Sequence, residues 1–172
     1  MKYLVVVDMQ KDFVDGSLGT DEAVKILPVV CDKIKEYEGE NIFVTLDTHY
    51  ENYLETAEGK KLPVSHCIKG TDGWALDENI RLALDGNGKY YEKNTFGSVK
   101  LAEDLSRLLK DGDTVELCGL CTDICVVSNA LMIKAFSPQT QIMVDEKCCA
   151  GVTPQAHQAA ISTMRSCQID IV

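Results

Sequence analysis

Apolar runs alternate along this chain with stretches whose apolar residues fall at helical spacing. Lys2–Val7 is an almost unbroken apolar run, which predicts a strand covered on both faces. Residues 21–38 place Val24, Leu27, Val30, Cys31 and Ile34 at helical intervals. Asn41–Leu46 predicts the second strand and Lys89–Glu92 a short third. Ser98–Lys110 predicts a helix with Leu101, Leu105 and Leu108 on one face, followed by a strand at Thr114–Cys118. A helix at 123–136, a strand at Gln141–Val144, a helix at Pro154–Ser166 and a strand at Gln168–Val172 complete the pattern. Such alternation predicts a three-layer α/β/α arrangement around a mainly parallel, Rossmann-like sheet of about six strands. The polar stretch 47–73 lacks clear periodicity and exceeds the usual connection length, and loops of that kind are often functional.

Length and charge narrow the reading. A chain of 172 residues suits one domain, 1–172, with a substantial core. Its 27 acidic against 17 basic residues give a net charge of −10, which disfavours nucleic acid and anionic membrane as partners. No apolar stretch approaches the ~20 residues of a membrane span. Asp8 interrupts the N-terminal apolar run and no small-residue cleavage site follows, so that run reads as a strand rather than a signal peptide. A cytoplasmic protein is expected. The eight cysteines fall within strand-like and helix-like segments, which predicts free thiols serving mostly as small core hydrophobes.

The chemistry gathers where strands end, and in open α/β sheets ligands bind outside the carboxyl ends of the strands. The first strand ends in Asp8, the second runs into Asp47 and His49, and the third into Lys93. The fourth leads into Gly119-Leu120-Cys121-Thr122-Asp123-Ile124-Cys125. Each has a plain structural reading when taken alone: a turn-capping aspartate, a solvated lysine, a buried core cysteine. Together they place a reactive group at four strand ends. Cys125 falls in the predicted first turn of a helix with Thr122 or Asp123 as N-cap, where free amides and the helix dipole favour thiolate. Asp123 opposes that effect, and Lys93 is a cation able to offset it. Asp47, His49 and His66 form a second constellation, since aspartate and histidine are ordinary ligands of zinc and other first-row metals. The third histidine, His157, reads as structural.

Three segments carry a resemblance. Val7-Asp8-Met9-Gln10-Lys11-Asp12-Phe13, Glu92-Lys93-Asn94-Thr95-Phe96 and Gly119-Leu120-Cys121-Thr122-Asp123-Ile124-Cys125-Val126 resemble, in order, the opening, catalytic-lysine and nucleophile segments of isochorismatase-like cysteine hydrolases. The likeness runs nearly end to end. It implies Asp8, Lys93 and Cys125 as a catalytic set, with the amides of Cys121 and Cys125 as an oxyanion hole and a cis peptide between Leu120 and Cys121. The loop resembles the metal site of the nicotinamidase branch, which implies Asp47, His49, Glu58 and His66 as ligands, with Glu55 as the alternative to Glu58. The implied ion is one divalent metal, zinc first, with manganese or iron open. That ion would orient a heteroaromatic ring, with Phe13 and Phe96 packing on it. The implied reaction is hydrolysis of a small amide, nicotinamide first, by a homo-oligomer.

Two other readings remain open. A carbamoyl or ureido compound is the alternative substrate, and the metal loop is what separates it from nicotinamide. Cys118-Gly119-Leu120-Cys121 has the spacing of a thiol–disulfide redox motif, although Cys118 falls inside a predicted strand.

Overall fold

The computed structural model describes residues 1–172. Six strands form a single sheet: β1 (Lys2–Val7), β2 (Ile42–Asp47), β3 (Lys89–Lys93), β4 (Thr114–Leu120), β5 (Gln141–Ala150) and β6 (Asp170–Ile171). Their order is β3-β2-β1-β4-β5-β6, and every neighbouring pair is parallel. The predicted three-layer fold with a six-stranded parallel sheet is the one observed.

Alternation along β1 explains the layers. Leu4 and Val6 point into a core with α2 (Asp21–Lys35) and α3 (Glu78–Leu84), where Ile26, Val30, Ile80 and Leu84 meet them. Tyr3, Val5 and Val7 point into the opposite core with α4 (Val99–Leu108), α5 (Val127–Phe136) and α6 (Pro154–Ser166). A short α1 (Lys11–Val14) follows β1 directly. Strand order reverses between β1 and β4, so their outgoing loops diverge and leave a crevice at that point. Gly119 makes the approach possible. Its φ is 116°, and a Cβ there would lie 2.2 Å from the Val7 carbonyl oxygen.

The structure departs from the sequence reading in places with local causes. The second helix ends at Lys35 rather than 38. The Glu36 and Tyr37 amides turn back to Lys33 and Ile34, and the Tyr37 hydroxyl donates to Glu116. The fifth strand runs on to Ala150 through an irregularity opposite Leu117 and Gly119, and Asp145, just past Val144, turns to Lys33 rather than to solvent. Its polar residues concealed that continuation. Helix α3 escaped the reading altogether, although Asp77 caps it by accepting the Asn79 amide.

Asp145 belongs to an ion cluster: Lys33 Nζ lies 2.9 Å from Glu116 Oε1 and 3.0 Å from Asp145 Oδ2. Burial opposes ionisation of Asp145, but Lys33 outweighs it and holds the carboxyl below its ordinary value. A lowered folded value means stabilisation that is complete above the unfolded carboxylate range and is lost as pH falls through the folded value. Lys33→Met leaves two carboxylates facing each other without a cation. We expect urea denaturation at pH 7 to show a loss of about 2–3 kcal/mol, below the ~3–5 of a fully buried pair. The gap from wild type should narrow as pH falls below about 4.

Candidate active site and metal centre

Asp8, the first residue past β1, has φ 47° and is fully buried. Left-handed backbone at a non-glycine residue is uncommon and has to be held by its surroundings. The Asp8 amide donates to the Thr45 carbonyl at 3.2 Å, and the Thr45 hydroxyl donates to Asp8 Oδ1 at 2.6 Å. Oδ2 then faces Lys93 Nζ at 2.7 Å.

Lys93 ends β3 and pairs in register with Asp47 of β2. Its ammonium lies 3.2 Å from Asp47 Oδ1 and 3.4 Å from Cys125 Sγ as well as 2.7 Å from Asp8. A carboxylate, an ammonium and a thiol from far-separated segments therefore meet. Burial works against the charge on Lys93, yet Asp8, Cys125 and Asp47 push its pKa up, so it stays protonated.

Cys125 stands on a π-helical turn, Thr122–Val126, that leads into α5. Here two expectations are corrected. The residue before the turn is Cys121, and no side chain caps it. The Thr122 hydroxyl instead meets His157 Nδ1 at 2.8 Å, and Asp123 Oδ1 accepts the Val152 amide at 3.0 Å, so both side chains are turned toward the segment joining β5 and α6. The expected preference for thiolate is opposed by the surroundings of the thiol. Burial, and then the Asp8 carboxylate, push the Cys125 thiol well up, and Lys93 only partly offsets them. Burial likewise raises Asp8, which makes it a stronger base toward that thiol.

The peptide between Leu120 and Cys121 is cis. The Cys121 amide donates to no backbone or side-chain acceptor of the protein. Cys121 and Cys125 both line a cavity of about 950 Å³. Cys118 is fully buried on the α2 side of the sheet, so the Cys118–Cys121 spacing does not form a solvent-accessible dithiol.

The same cavity reaches Asp47, His49, Glu58 and His66. His49 Nε2 lies 2.9 Å from Asp47 Oδ2 and 3.8 Å from Glu58 Oε1; His66 Nε2 lies 3.5 and 3.7 Å from the same two oxygens. Tetrahedral zinc, with bonds of about 2.0–2.1 Å, separates its ligand atoms by about 3.3 Å. Two observations fit an ion here. His49 Nε2 is buried without an aligned hydrogen-bond partner. His66 Nδ1 lies 2.8 Å from the Val64 carbonyl, which can only accept, so Nδ1 carries a hydrogen and the ring turns Nε2 toward Asp47 and Glu58. Burial disfavours the Asp47 anion, but the two imidazoles and Lys93 outweigh it and hold that carboxyl well below its usual range. Glu58 thus stands with the histidines, whereas Glu55 is exposed and not among the residues lining the cavity.

Phe13 and Phe96 both line the cavity, but differently. Phe13 is buried against His66 with ring centroids 5.4 Å apart, while Phe96 is 46% exposed at the mouth. Trp74 is not a cavity wall. Its indole donates to the Thr48 hydroxyl at 3.0 Å, so it braces the loop from behind.

Four positioning side chains were not singled out in the sequence. Gln10 clamps Asp47 by accepting its amide at 2.7 Å and donating to its carbonyl at 2.8 Å. Asp12 accepts the Cys67 amide at 2.8 Å, next to His66, where Cys67 has φ 46°. Thr45 orients Asp8. Asn129, fully buried, donates to the Cys125 carbonyl at 2.8 Å and accepts the Ser98 amide at 2.9 Å. Gln10 and Asp12 lie within the opening motif, which was their only signal.

Comparison with known proteins agrees with this geometry. The nicotinamidase/pyrazinamidase of Mycobacterium tuberculosis (strain ATCC 25618 / H37Rv) is 26% identical over 186 residues, covering 100% of this chain and 98% of that protein. The pyrazinamidase/nicotinamidase structure from Streptococcus mutans UA159 matches with a TM-score of 0.83 at 27% identity, over 100% of both chains. A pyrazinamidase of Pyrococcus horikoshii, solved in complex with zinc, matches with a TM-score of 0.78 at 28% identity, over 99% of this chain and 98% of that one. The isochorismatase domain matches residues 2–172, and the chain belongs to that family.

Proposed function

We propose that this protein is a cysteine amidohydrolase that converts nicotinamide to nicotinate and ammonia. The observation that carries the reading is a shared cavity. Cys125 lines it together with Asp47, His49, Glu58 and His66, and just beneath the wall Lys93 contacts Cys125, Asp8 and Asp47 and so links the two groups. Relatives that match over the whole length bear the names nicotinamidase and pyrazinamidase, which supports the same substrate class.

In the mechanism, Asp8 takes the Cys125 thiol proton as sulfur attacks the amide carbonyl. The Cys121 and Cys125 amides receive the negative charge that develops on the carbonyl oxygen. Collapse of the tetrahedral adduct breaks the C–N bond, and Asp8 returns the proton to the departing nitrogen, which leaves as ammonia. Water, deprotonated by Asp8, then attacks the thioester, and the Cys125 sulfur leaves and is reprotonated. Lys93 holds Asp8 in place through the proton transfers and steadies the sulfur when it carries charge. Asp47, His49, Glu58 and His66 would hold one divalent ion, zinc in the first instance and manganese or iron by the same donor chemistry. When bound, that ion supplies a contact for the ring nitrogen of a heteroaromatic amide. Phe13 would pack on the ring, and Phe96 would close the outer side. Positioning of this kind lowers the entropic part of the barrier.

Ammonia release from nicotinamide tests the reading. Cys125→Ala should reduce kcat by at least about 10⁴-fold, the scale seen when a covalent nucleophile is lost; turnover near wild type would end the proposal. His49→Ala should lower bound zinc, measured by elemental analysis, from about one per chain to well below, and should raise KM for nicotinamide more than it lowers kcat. Metal-independent turnover of a carbamoyl or ureido compound, with nicotinamide untouched, would move the assignment to that substrate class.

A further inference from the structure

The nucleophile turn is tethered from outside. Thr122 is fully buried, and its hydroxyl meets His157 Nδ1 on α6 at 2.8 Å. Asp123 Oδ1 accepts the Val152 amide at 3.0 Å. Gly151 lies between these contacts, where a Cβ would sit 2.8 Å from both Asp123 Oδ1 and the His157 amide nitrogen. A helix start is ordinarily steadied by its own capping side chain. Here both candidate caps reach across to the segment joining β5 and α6 instead. Isolated π turns are rare and concentrate at functional sites.

His157 is itself held. Its Nε2 faces Glu146 Oε1 at 3.9 Å, and Glu146 also accepts from Gln158 at 2.9 Å and meets Arg165 at 3.4 Å. A carboxylate on the Nε2 side favours hydrogen on that nitrogen, which leaves Nδ1 to accept the Thr122 hydroxyl.

We propose that His157 is a positioning residue for the reaction: through Thr122 it sets the angle of the turn that keeps Cys125 Sγ beside Asp8 and Lys93. This rests on the reading of Cys125 as nucleophile. Displacing a reacting atom by about 1 Å can cost on the order of 100-fold in rate without loss of binding. The effect of His157 therefore belongs in kcat, not in KM.

Three substitutions separate positioning from packing. Asn at 157 keeps an acceptor where Nδ1 lies; Gln places its amide nearer Nε2; Leu has neither. In ammonia release from nicotinamide, His157→Leu and His157→Gln should lower kcat about 10–100-fold with KM nearly constant. His157→Asn should stay close to wild type. Thr122→Val should reproduce the Leu loss, and the double variant should lose no more than either single one. Alkylation of Cys125 by iodoacetamide, followed by peptide mass analysis, should separate the variants in the same grouping without any substrate. A His157→Leu protein that melts like wild type and keeps both kcat and alkylation rate would overturn the proposal. So would an Asn variant as impaired as Leu. If His157→Leu does not fold, the Asn and Gln pair carries the comparison. If wild type leaves nicotinamide intact, the substrate reading fails, while the alkylation series still decides the role of His157.

Discussion

One buried ammonium organises the site. Lys93 Nζ has Asp8, Asp47 and Cys125 around it within 3.4 Å, and its side chain is 2% exposed. Taking such ions out of water costs several kcal/mol each, and their attraction repays it only where geometry is good and the remaining polar atoms are satisfied. The surroundings meet that condition. Thr45 occupies the second oxygen of Asp8, Gln10 holds the backbone of Asp47, and β2 and β3 pair so that Asp47 and Lys93 stand side by side. The left-handed backbone at Asp8 is affordable only within such a frame.

That ammonium also couples two tasks. Asp47 turns one oxygen to Lys93 and the other to the two histidines. The corner that would orient a ring and the corner that would break a bond therefore share a residue, and neither can shift without moving the other. Placing these groups at the ends of β1, β2 and β3 rather than in mid-loop gives them the stiffness of the sheet. The longer loop supplies only Glu58 and His66, and Asp12 and Gly73 pin it beside α1 through a main-chain bond of 3.0 Å.

Much of this was legible in the sequence because of contrast. Asp8 follows five apolar residues and Asp47 ends the mostly apolar run Ile42–Leu46, so each stands out where such a run stops, whereas Lys93 follows Glu92 and was marked by its strand end and its motif. The fold was legible for the same reason: continuous apolar strands imply burial on both faces, and alternation with helices implies parallel pairing. Gln10, Thr45 and Asn129 carried no such mark. They act on main-chain atoms or on one oxygen of a neighbour far away in the chain, which no local pattern encodes. Periodicity likewise missed the run of β5 past Asp145, because that residue serves an ion cluster rather than solvent. The capping expectation at Thr122 and Asp123 failed for a related reason: local propensity lost to tertiary partners on the β5–α6 junction.

Fold alone does not decide what such a molecule does, since one architecture hosts many chemistries. The sheet order, the crevice at the β1/β4 reversal and the two cores would serve a hydrolase of another small compound equally well. What narrows the choice is the donor set. A covalent cysteine mechanism needs a base, a cation and amide donors, and Asp8, Lys93 and the turn from Cys121 to Cys125 would meet those needs without any help from His49, His66 or Glu58. Two imidazoles and a further carboxylate, whose nitrogens and oxygen lie 3.7–3.8 Å apart, are therefore surplus to bond cleavage. Their donor chemistry suits a first-row cation, and a cation held by them would favour substrates that offer a second lone pair. A ring nitrogen set across from a carboxamide meets that requirement; a plain aliphatic amide does not.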